Sequence, residues 1–249
     1  MRFDGQEYDG EGVVIAVIDS GLNTDDERFL NSDVQGCRVR MAATNHVVID
    51  GEFDDQIGHG TEIAATILHE APNASLLVIR IMDDELVSPA DLIAVGIETA
   101  YKSGANVINL SLGTPNMGKA MLLRDCCAMA KEAGTLLVAS AHPQGGRIYP
   151  ADIPEAIGVA SHPDCGSRIF YFDPMTYPRK KWKGLSGKFL TGGRDITQNT
   201  YVGVGHAAAY MSGRFACLRQ ALPDASADEL IHVMQNKSFV PTIELGYRQ

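Results

Sequence analysis

The segment VVIAVI, which spans Val13–Ile18, decides the fold class of this chain of 249 residues. A continuous run of apolar, mostly β-branched residues is typical of a strand buried on both faces, and such strands occur in parallel sheets. Similar short apolar runs recur at Leu76–Ile81, Val107–Leu110, Leu136–Ala139 and Ile157–Ala160. The pattern therefore predicts a mostly parallel central sheet.

Helical patterns lie between and after the predicted strands. They cover Gly60–Glu70, Pro89–Ser103, Gly118–Ala133 and Ala207–Leu218, and a final helix follows Ser226 and ends near Gln235. Ser88 is expected to cap the helix that begins at Pro89, and Gly104 and Gly134 are expected to end two of these helices. Alternation of strands and helices implies right-handed crossovers with helices on both faces of the sheet. We therefore expect a three-layer α/β fold.

Length and composition are typical of one globular domain. With 45% hydrophobic residues the chain can form one well-buried core. We therefore assign residues 1–249 to a single domain, with residues 1–9 as an N-terminal extension. The net charge of -10 argues against a nucleic-acid surface, which needs clustered Lys and Arg. No apolar run is long enough to span a bilayer, so no membrane partner is expected.

The cysteines and the first residues bear on the cellular compartment. The five cysteines are scattered, and Cys126 and Cys127 are adjacent within an apolar helical pattern. Buried thiols suit this arrangement better than a disulfide framework, and no CxxC pair or zinc spacing is present. Met1–Gly12 is polar and lacks the apolar centre of a secretory signal. We expect a cytoplasmic protein that needs no metal or cofactor.

One segment, residues 167–188, is aromatic and basic in an otherwise acidic chain. It carries Arg179, Lys180, Lys181 and Lys183 beside Trp182, the only tryptophan. We interpret it as an inserted loop or hairpin that projects from the domain. Aromatic and basic residues together are common at protein interfaces, but they also suit a hairpin packed on its own aromatic side chains.

Four residues with reactive side chains lie where an α/β sheet forms its sites, beyond the carboxyl ends of the strands. Asp19 follows the first strand, His59 opens a helix, His142 follows the strand Leu136–Ala139, and His206 precedes the Ala-rich helix. A lone Asp at a strand end is usually a turn or cap residue, and a lone His is usually structural. The order of the whole set carries more information than any single member.

The motifs around these residues resemble those of the subtilisin-like serine proteases, the subtilases. VIAVIDSG at Val14–Gly21 is similar to their aspartate motif, and GHGTEIAATI at Gly58–Ile67 to their histidine motif. VINLSLG at Val107–Gly113 resembles the strand that pairs with substrate backbone, and YPADIPEAIGVAS at Tyr149–Ser161 resembles the segment after the oxyanion region. The motifs occur in the subtilase order and cover nearly the whole chain. The resemblance implies a subtilisin-like fold.

The resemblance also implies a catalytic triad in which Asp19 orients His59, and His59 activates a serine at the start of the Ala-rich helix. In this chain Gly205 occupies the position of that serine. Ser212 cannot replace it, because seven residues of helix separate the two by about 10 Å. The family's asparagine oxyanion donor is replaced by His142. We therefore expect no ordinary acyl-enzyme proteolysis.

The peptide-binding channel of the family does not depend on the serine. Ser111, Leu112 and Gly113 resemble one wall of that channel. The floor of the first specificity pocket would be formed by Ala139, Ser140 and Ala141. Binding by strand addition relies on backbone hydrogen bonds, which survive loss of the nucleophile. The leading interpretation is a pseudo-protease that binds an extended peptide or protein segment, or that acts as the partner of an active enzyme.

Two other interpretations remain open at this point. Asp19, His59, His142 and His206 could line one cleft and carry out acid–base or metal-assisted chemistry on a bound peptide. Alternatively, Gly205 is an engineered replacement that inactivates a working subtilase endopeptidase.

Overall fold

The computed structural model describes residues 1–83, 86–142, 146–162, 165, 169–173, 188–193 and 203–237. The strands are β1 (Arg2–Phe3), β2 (Gln6–Glu7), β3 (Val14–Asp19), β4 (Val34–Met41), β5 (Val47–Asp50), β6 (Ser75–Arg80), β7 (Val107–Leu110), β8 (Leu136–Ser140), β9 (Ile157–Ser161), β10 (Phe170–Asp173) and β11 (Lys188–Thr191). The helices are α1 (His59–Glu70), α2 (Ala90–Lys102), α3 (Ala120–Glu132), α4 (Val204–Ala221) and α5 (Ala227–Lys237).

Nine strands form one sheet in the order β10-β11-β9-β8-β7-β3-β6-β4-β5. All neighbours from β11 to β4 are parallel, and only the outermost strands β10 and β5 run antiparallel to their neighbours. The chain builds β4 and β6 on one side of β3 and then continues with β7 on the other side. This reversal of strand order at β3 makes the carboxyl end of β3 the expected place for a binding site.

The side chains of β3 explain why its sequence is continuously apolar. Ile15 and Val17 point into a core formed with α1, α4 and α5, while Ala16 and Ile18 point into a second core formed with α2 and α3. Both faces of the strand are thus covered by helices, so neither face can carry polar residues. The predicted three-layer α/β fold with a mostly parallel sheet is confirmed.

The predicted elements around the central strands agree with the structure within a few residues, and some details differ. Gly104 and Gly134 follow α2 and α3 with left-handed φ values of 82° and 81°, as their stop positions require. The predicted cap at Ser88 is wrong: α2 begins at Ala90 with Pro89 in the cap position, and no side chain caps it. Among the described helices, none has the length and apolarity needed to cross a membrane.

The aromatic and basic segment is partly described. Strand β10 near its start and strand β11, which begins at its last residue, form an antiparallel pair. Phe170 lies opposite Thr191, and Asp173 lies opposite Lys188. Lys188 does not belong to a projection; it is fully buried and forms an ion pair of 3.0 Å with Asp152. The basic cluster Arg179–Lys183, with Trp182, lies outside the described residues.

Candidate active site

The centre of the candidate site is a contact between Asp19 and His59. Asp19 is the last residue of β3 and is fully buried, and His59 is the first residue of α1. The ring Nδ1 of His59 lies 2.7 Å from the carboxylate Oδ1 of Asp19, which also accepts a hydrogen bond from the Ser20 N–H. The side chain of His59 is 26% exposed, so the opposite ring nitrogen can face a ligand.

Two glycines allow α1 to begin this close to the end of β3. A Cβ on Gly60 would overlap the carbonyl oxygen of Gly21, and Gly21 itself has a φ of 117°. Between them, the Ser20 hydroxyl accepts a hydrogen bond of 2.9 Å from the Gly60 N–H. The small residues that follow Asp19 and His59 therefore bring the two side chains together.

Asp55 organises the loop before α1, and no motif in the sequence identifies this role. Its Oδ1 accepts from the Ile57 and Gly58 N–H groups and from the Ser20 hydroxyl at 2.8–2.9 Å. Its Oδ2 accepts from the N–H and the hydroxyl of Thr61. Burial alone would raise the pKa of Asp55, but these hydrogen bonds outweigh it and the pKa lies below its usual value.

The environment of His59 favours the protonated ring. Burial opposes protonation, but the hydrogen bond to Asp19 and the negative charges of Asp19 and Asp55 outweigh burial. The pKa of His59 is therefore above its usual value. A ring held in this way can accept a proton at Nε2 while Nδ1 stays bonded to the carboxylate.

Gly205, the second residue of α4, lies on the open side of the His59 ring. A Cβ built on Gly205 would be 3.5 Å from His59 Nε2, 3.3 Å from Ser111 Cβ and 3.4 Å from Ile63 Cδ1. The φ of Gly205 is not in the left-handed region, so its backbone would also permit a side chain. Position 205 is thus where a side chain would meet the imidazole on the face opposite Asp19.

Ser111 joins Gly205 to the predicted channel wall. Its hydroxyl donates to the Gly205 carbonyl at 3.3 Å and accepts from the Asn109 side-chain amide at 3.0 Å. Ser212 is fully buried and donates to Asn109 Oδ1, so it faces the interior rather than His59. Ser111 therefore lies beside the Asp19–His59 pair, called the dyad below, and Ser212 lies away from it.

The remaining channel residues follow β7 and β8. Leu112 and Gly113 are half-buried, and a Cβ on Gly113 would lie 2.6 Å from the Tyr149 carbonyl oxygen. The predicted pocket floor, Ala139–Ala141, is buried at the carboxyl end of β8, and the Ala141 N–H donates to Val159. These residues lie at the same edge of the sheet as Asp19.

The two other histidines have different surroundings. His142 is half-buried after β8, with its ring close to Gly146, where an added Cβ would lie 3.2 Å from Cγ. His206 is buried in α4 next to Gly205. Within the described residues, no group of three or more His, Cys, Asp or Glu side chains is arranged to hold a metal ion.

Comparisons with known proteins find relatives of similar sequence. The model of the Subtilase family matches residues 10–168. Subtilisin E of Bacillus subtilis (strain 168) is 28% identical over 234 residues, which cover 88% of this chain and 58% of the relative. Alkaline protease of Alkalihalobacillus alcalophilus is 30% identical over 254 residues, which cover 91% of this chain and 59% of the relative. The chain thus spans somewhat less than two thirds of the length of these relatives.

Solved structures show the same fold at lower identity. Sphericase superposes with a TM-score of 0.73 and 22% identity, over 94% of this chain and 86% of that chain. A cold-adapted subtilisin-like serine proteinase superposes with a TM-score of 0.69 and 19% identity, over 95% of this chain and 87% of that chain.

Proposed function

Because this chain belongs to the Subtilase family, we propose that it is a pseudo-protease that binds extended peptide without ordinary serine-protease turnover. The observation that carries the proposal is the position of Gly205. It faces Nε2 of His59 at the start of α4, where the subtilase mechanism needs a hydroxyl.

The missing hydroxyl decides between turnover and binding. In the subtilase mechanism the imidazole removes a proton from the serine, whose oxygen then attacks the substrate carbonyl. Glycine offers no oxygen, so no acyl-enzyme forms at position 205. In subtilisin, a member of this same family, removal of the serine lowers kcat by about 10⁶. A loss of that size leaves no turnover that could sustain a protease function.

The peptide-binding surface does not share this defect. The wall Ser111–Gly113 and the floor Ala139–Ala141 offer backbone groups to a ligand, and neither depends on a side chain at position 205. An extended peptide can add to such a wall as a strand. We propose an extended peptide or protein segment as the ligand, and an active enzyme as the kind of partner that would present or receive it.

Restoring the hydroxyl tests the loss of turnover. In Gly205→Ser the new Cβ would lie at ordinary contact distance from Ile63 and His59, and only its 3.3 Å contact with Ser111 requires a shift of a few tenths of an ångström. Its Oγ would then reach hydrogen-bonding distance of His59 Nε2. We expect this variant to gain labelling by a fluorophosphonate, with slow hydrolysis of peptide amides because His142 replaces the oxyanion donor.

The matched control is Gly205→Ala, which adds the same Cβ without the oxygen. We expect neither the unmodified protein nor this variant to be labelled. Fluorophosphonate labelling of the unmodified chain at the cleft, or its turnover of a peptide amide, would refute the proposal.

The Asp19–His59 contact supports a second candidate, acid–base chemistry on a bound peptide. Its distinguishing result is a chemical change in a peptide that the unmodified protein performs and that His59→Gln abolishes. The engineered origin of Gly205 has a separate test, since the natural gene would then encode serine at codon 205.

A further inference from the structure

The absent side chain at Gly205 leaves a small space beside the dyad. His59 Nε2, Ser111 Cβ and Ile63 Cδ1 border it at 3.3–3.5 Å from the position that a Cβ would occupy. Ile63 is fully buried and closes the inner side, whereas the His59 side chain is partly exposed. The space is therefore accessible from the cleft and has an apolar inner wall.

The polar groups at this space suit an anion. Nδ1 of His59 is held by Asp19, so a protonated ring directs its Nε2–H away from the carboxylate and toward position 205. Asp19 and Asp55 both raise the pKa of the ring, and the oxygens of Asp55 are turned toward Ser20 and the loop 57–61. In an active subtilase the serine hydroxyl would compete for this N–H. With glycine at position 205, the N–H can be donated to a ligand.

The space is continuous with the proposed peptide channel, because Ser111 belongs to both. Its side chain borders the space, and its backbone begins the wall Ser111–Gly113. Helix α4 also begins here, and its first N–H groups add a partial positive charge. A peptide that lies along the wall and ends at this space would place its terminal group beside His59.

From this juxtaposition we propose that the space beside Gly205 holds the C-terminal carboxylate of the peptide ligand. One carboxylate oxygen accepts the Nε2–H of His59, and the chain that precedes it lies along Ser111–Gly113. The ligand is then a peptide or protein segment with a free C-terminus, whether that terminus is the natural end of a chain or one released by peptide-bond hydrolysis. This inference rests on the proposed function, since it names the ligand of the same cleft.

The energetic preference for a carboxylate follows from its charge. A terminal amide or an internal carbonyl can also accept the Nε2–H, but a hydrogen bond between two charged groups is stronger than one to a neutral acceptor. The difference corresponds to a preference of about fivefold to tenfold in Kd.

The test compares two N-acetylated hexapeptide libraries that differ only in the C-terminal group, one with free carboxylates and one with amides. The purified protein is incubated with both, and retained peptides are counted by mass spectrometry. We expect the acids to be enriched about fivefold to tenfold over the amides. We expect Gly205→Ala, which fills the space, and His59→Gln, which removes the charge, to lose this enrichment while still retaining peptides.

The matched control for the added methyl group is Gly51→Ala, where a Cβ meets no atom within 4 Å. It is expected to keep the full preference. Equal retention of acids and amides by the unmodified protein would overturn the carboxylate site and leave peptide binding standing. Retention of neither library would overturn both this inference and the proposed function.

Discussion

The buried ion pair between Lys188 and Asp152 provides the sharpest test of how the edge of the sheet is held. The side chain of Lys188 is 0% exposed and that of Asp152 is 1% exposed, with 3.0 Å between Nζ and Oδ1. Nζ also donates to the Ala151 carbonyl at 2.5 Å, and Asp152 Oδ2 accepts from the Ile148 N–H. The pair thus joins β11 to the segment after Tyr149, and the carbonyl of Tyr149 lies against Gly113 of the channel wall.

Asp152→Asn is the informative change because it removes the negative charge and keeps an oxygen that can accept from Ile148. Removing one partner of a buried pair costs about 3–5 kcal/mol of unfolding free energy. For a chain of this length, that loss corresponds to a decrease in Tm of roughly 6–20 °C. The double variant Asp152→Asn/Lys188→Met removes both charges and is expected to recover most of the loss.

The pH dependence of the single variant provides an independent measurement. Burial lowers the pKa of Lys188, and Asp152 only partly opposes this effect. Without Asp152 the pKa of Lys188 falls further, so the folded state releases the lysine proton more readily than the unfolded state does. The destabilisation is therefore fully present near neutral pH and shrinks as the pH rises toward the usual lysine value of 10.5. Urea unfolding across this range measures it. An equal loss in the single and double variants, without this pH dependence, would refute the reasoning.

Two further predictions concern the dyad. Asp55→Asn weakens the hydrogen bonds to the loop 57–61 and is expected to cost about 1–3 kcal/mol in urea unfolding. It also removes a charge that favours protonated His59, so an NMR titration of the ring should show a lower pKa, and an unchanged titration would contradict this role. The raised pKa of His59 predicts that its bond to Asp19 contributes stability that is fully present below about pH 6.5. That contribution is lost as the pH rises through the pKa of the folded state, so the stability difference between the unmodified protein and His59→Gln should shrink over that range.

The sequence predicted the centre of the fold because that centre is specified locally. The run Val13–Ile18 is apolar at every position, which only a strand covered on both faces requires, and glycines mark the ends of α2 and α3. Strand β4, which lies next to the outermost strand β5, was not predicted, since its sequence VQGCRVRM mixes charged and apolar residues. Its strand conformation depends on pairing with β6, which begins more than thirty residues later in the chain.

The sequence predicted those residues of the candidate site that belong to recognisable motifs in a recognisable order. Asp19, His59 and Gly205 lie together as the resemblance implied, whereas the roles of Asp55 and Lys188 depend on contacts that no local pattern reveals. Asp55 lies in a polar loop, and its role follows from the donors that the folded loop directs at it. Lys188 ends a basic segment and would be read as solvated. Its burial follows from Asp152, a partner 36 residues away, and from Gly158, where a Cβ would lie 2.5 Å from the Lys188 side chain.

The presence of an ordered Asp19–His59 pair beside a glycine has two physical explanations that can be separated. Asp19 is fully buried, and a buried carboxylate that loses its partner destabilises the fold, so the pair can be required for stability alone. In that case His59→Gln lowers stability with the predicted pH dependence, and the unmodified protein already retains acid and amide peptides equally. If the imidazole also binds a terminal carboxylate, Gly205→Ala changes the peptide preference without changing the pH dependence of stability, because Asp19 and Nδ1 are untouched. The two effects arise on opposite sides of the same ring, and it is this separation that makes each of them measurable.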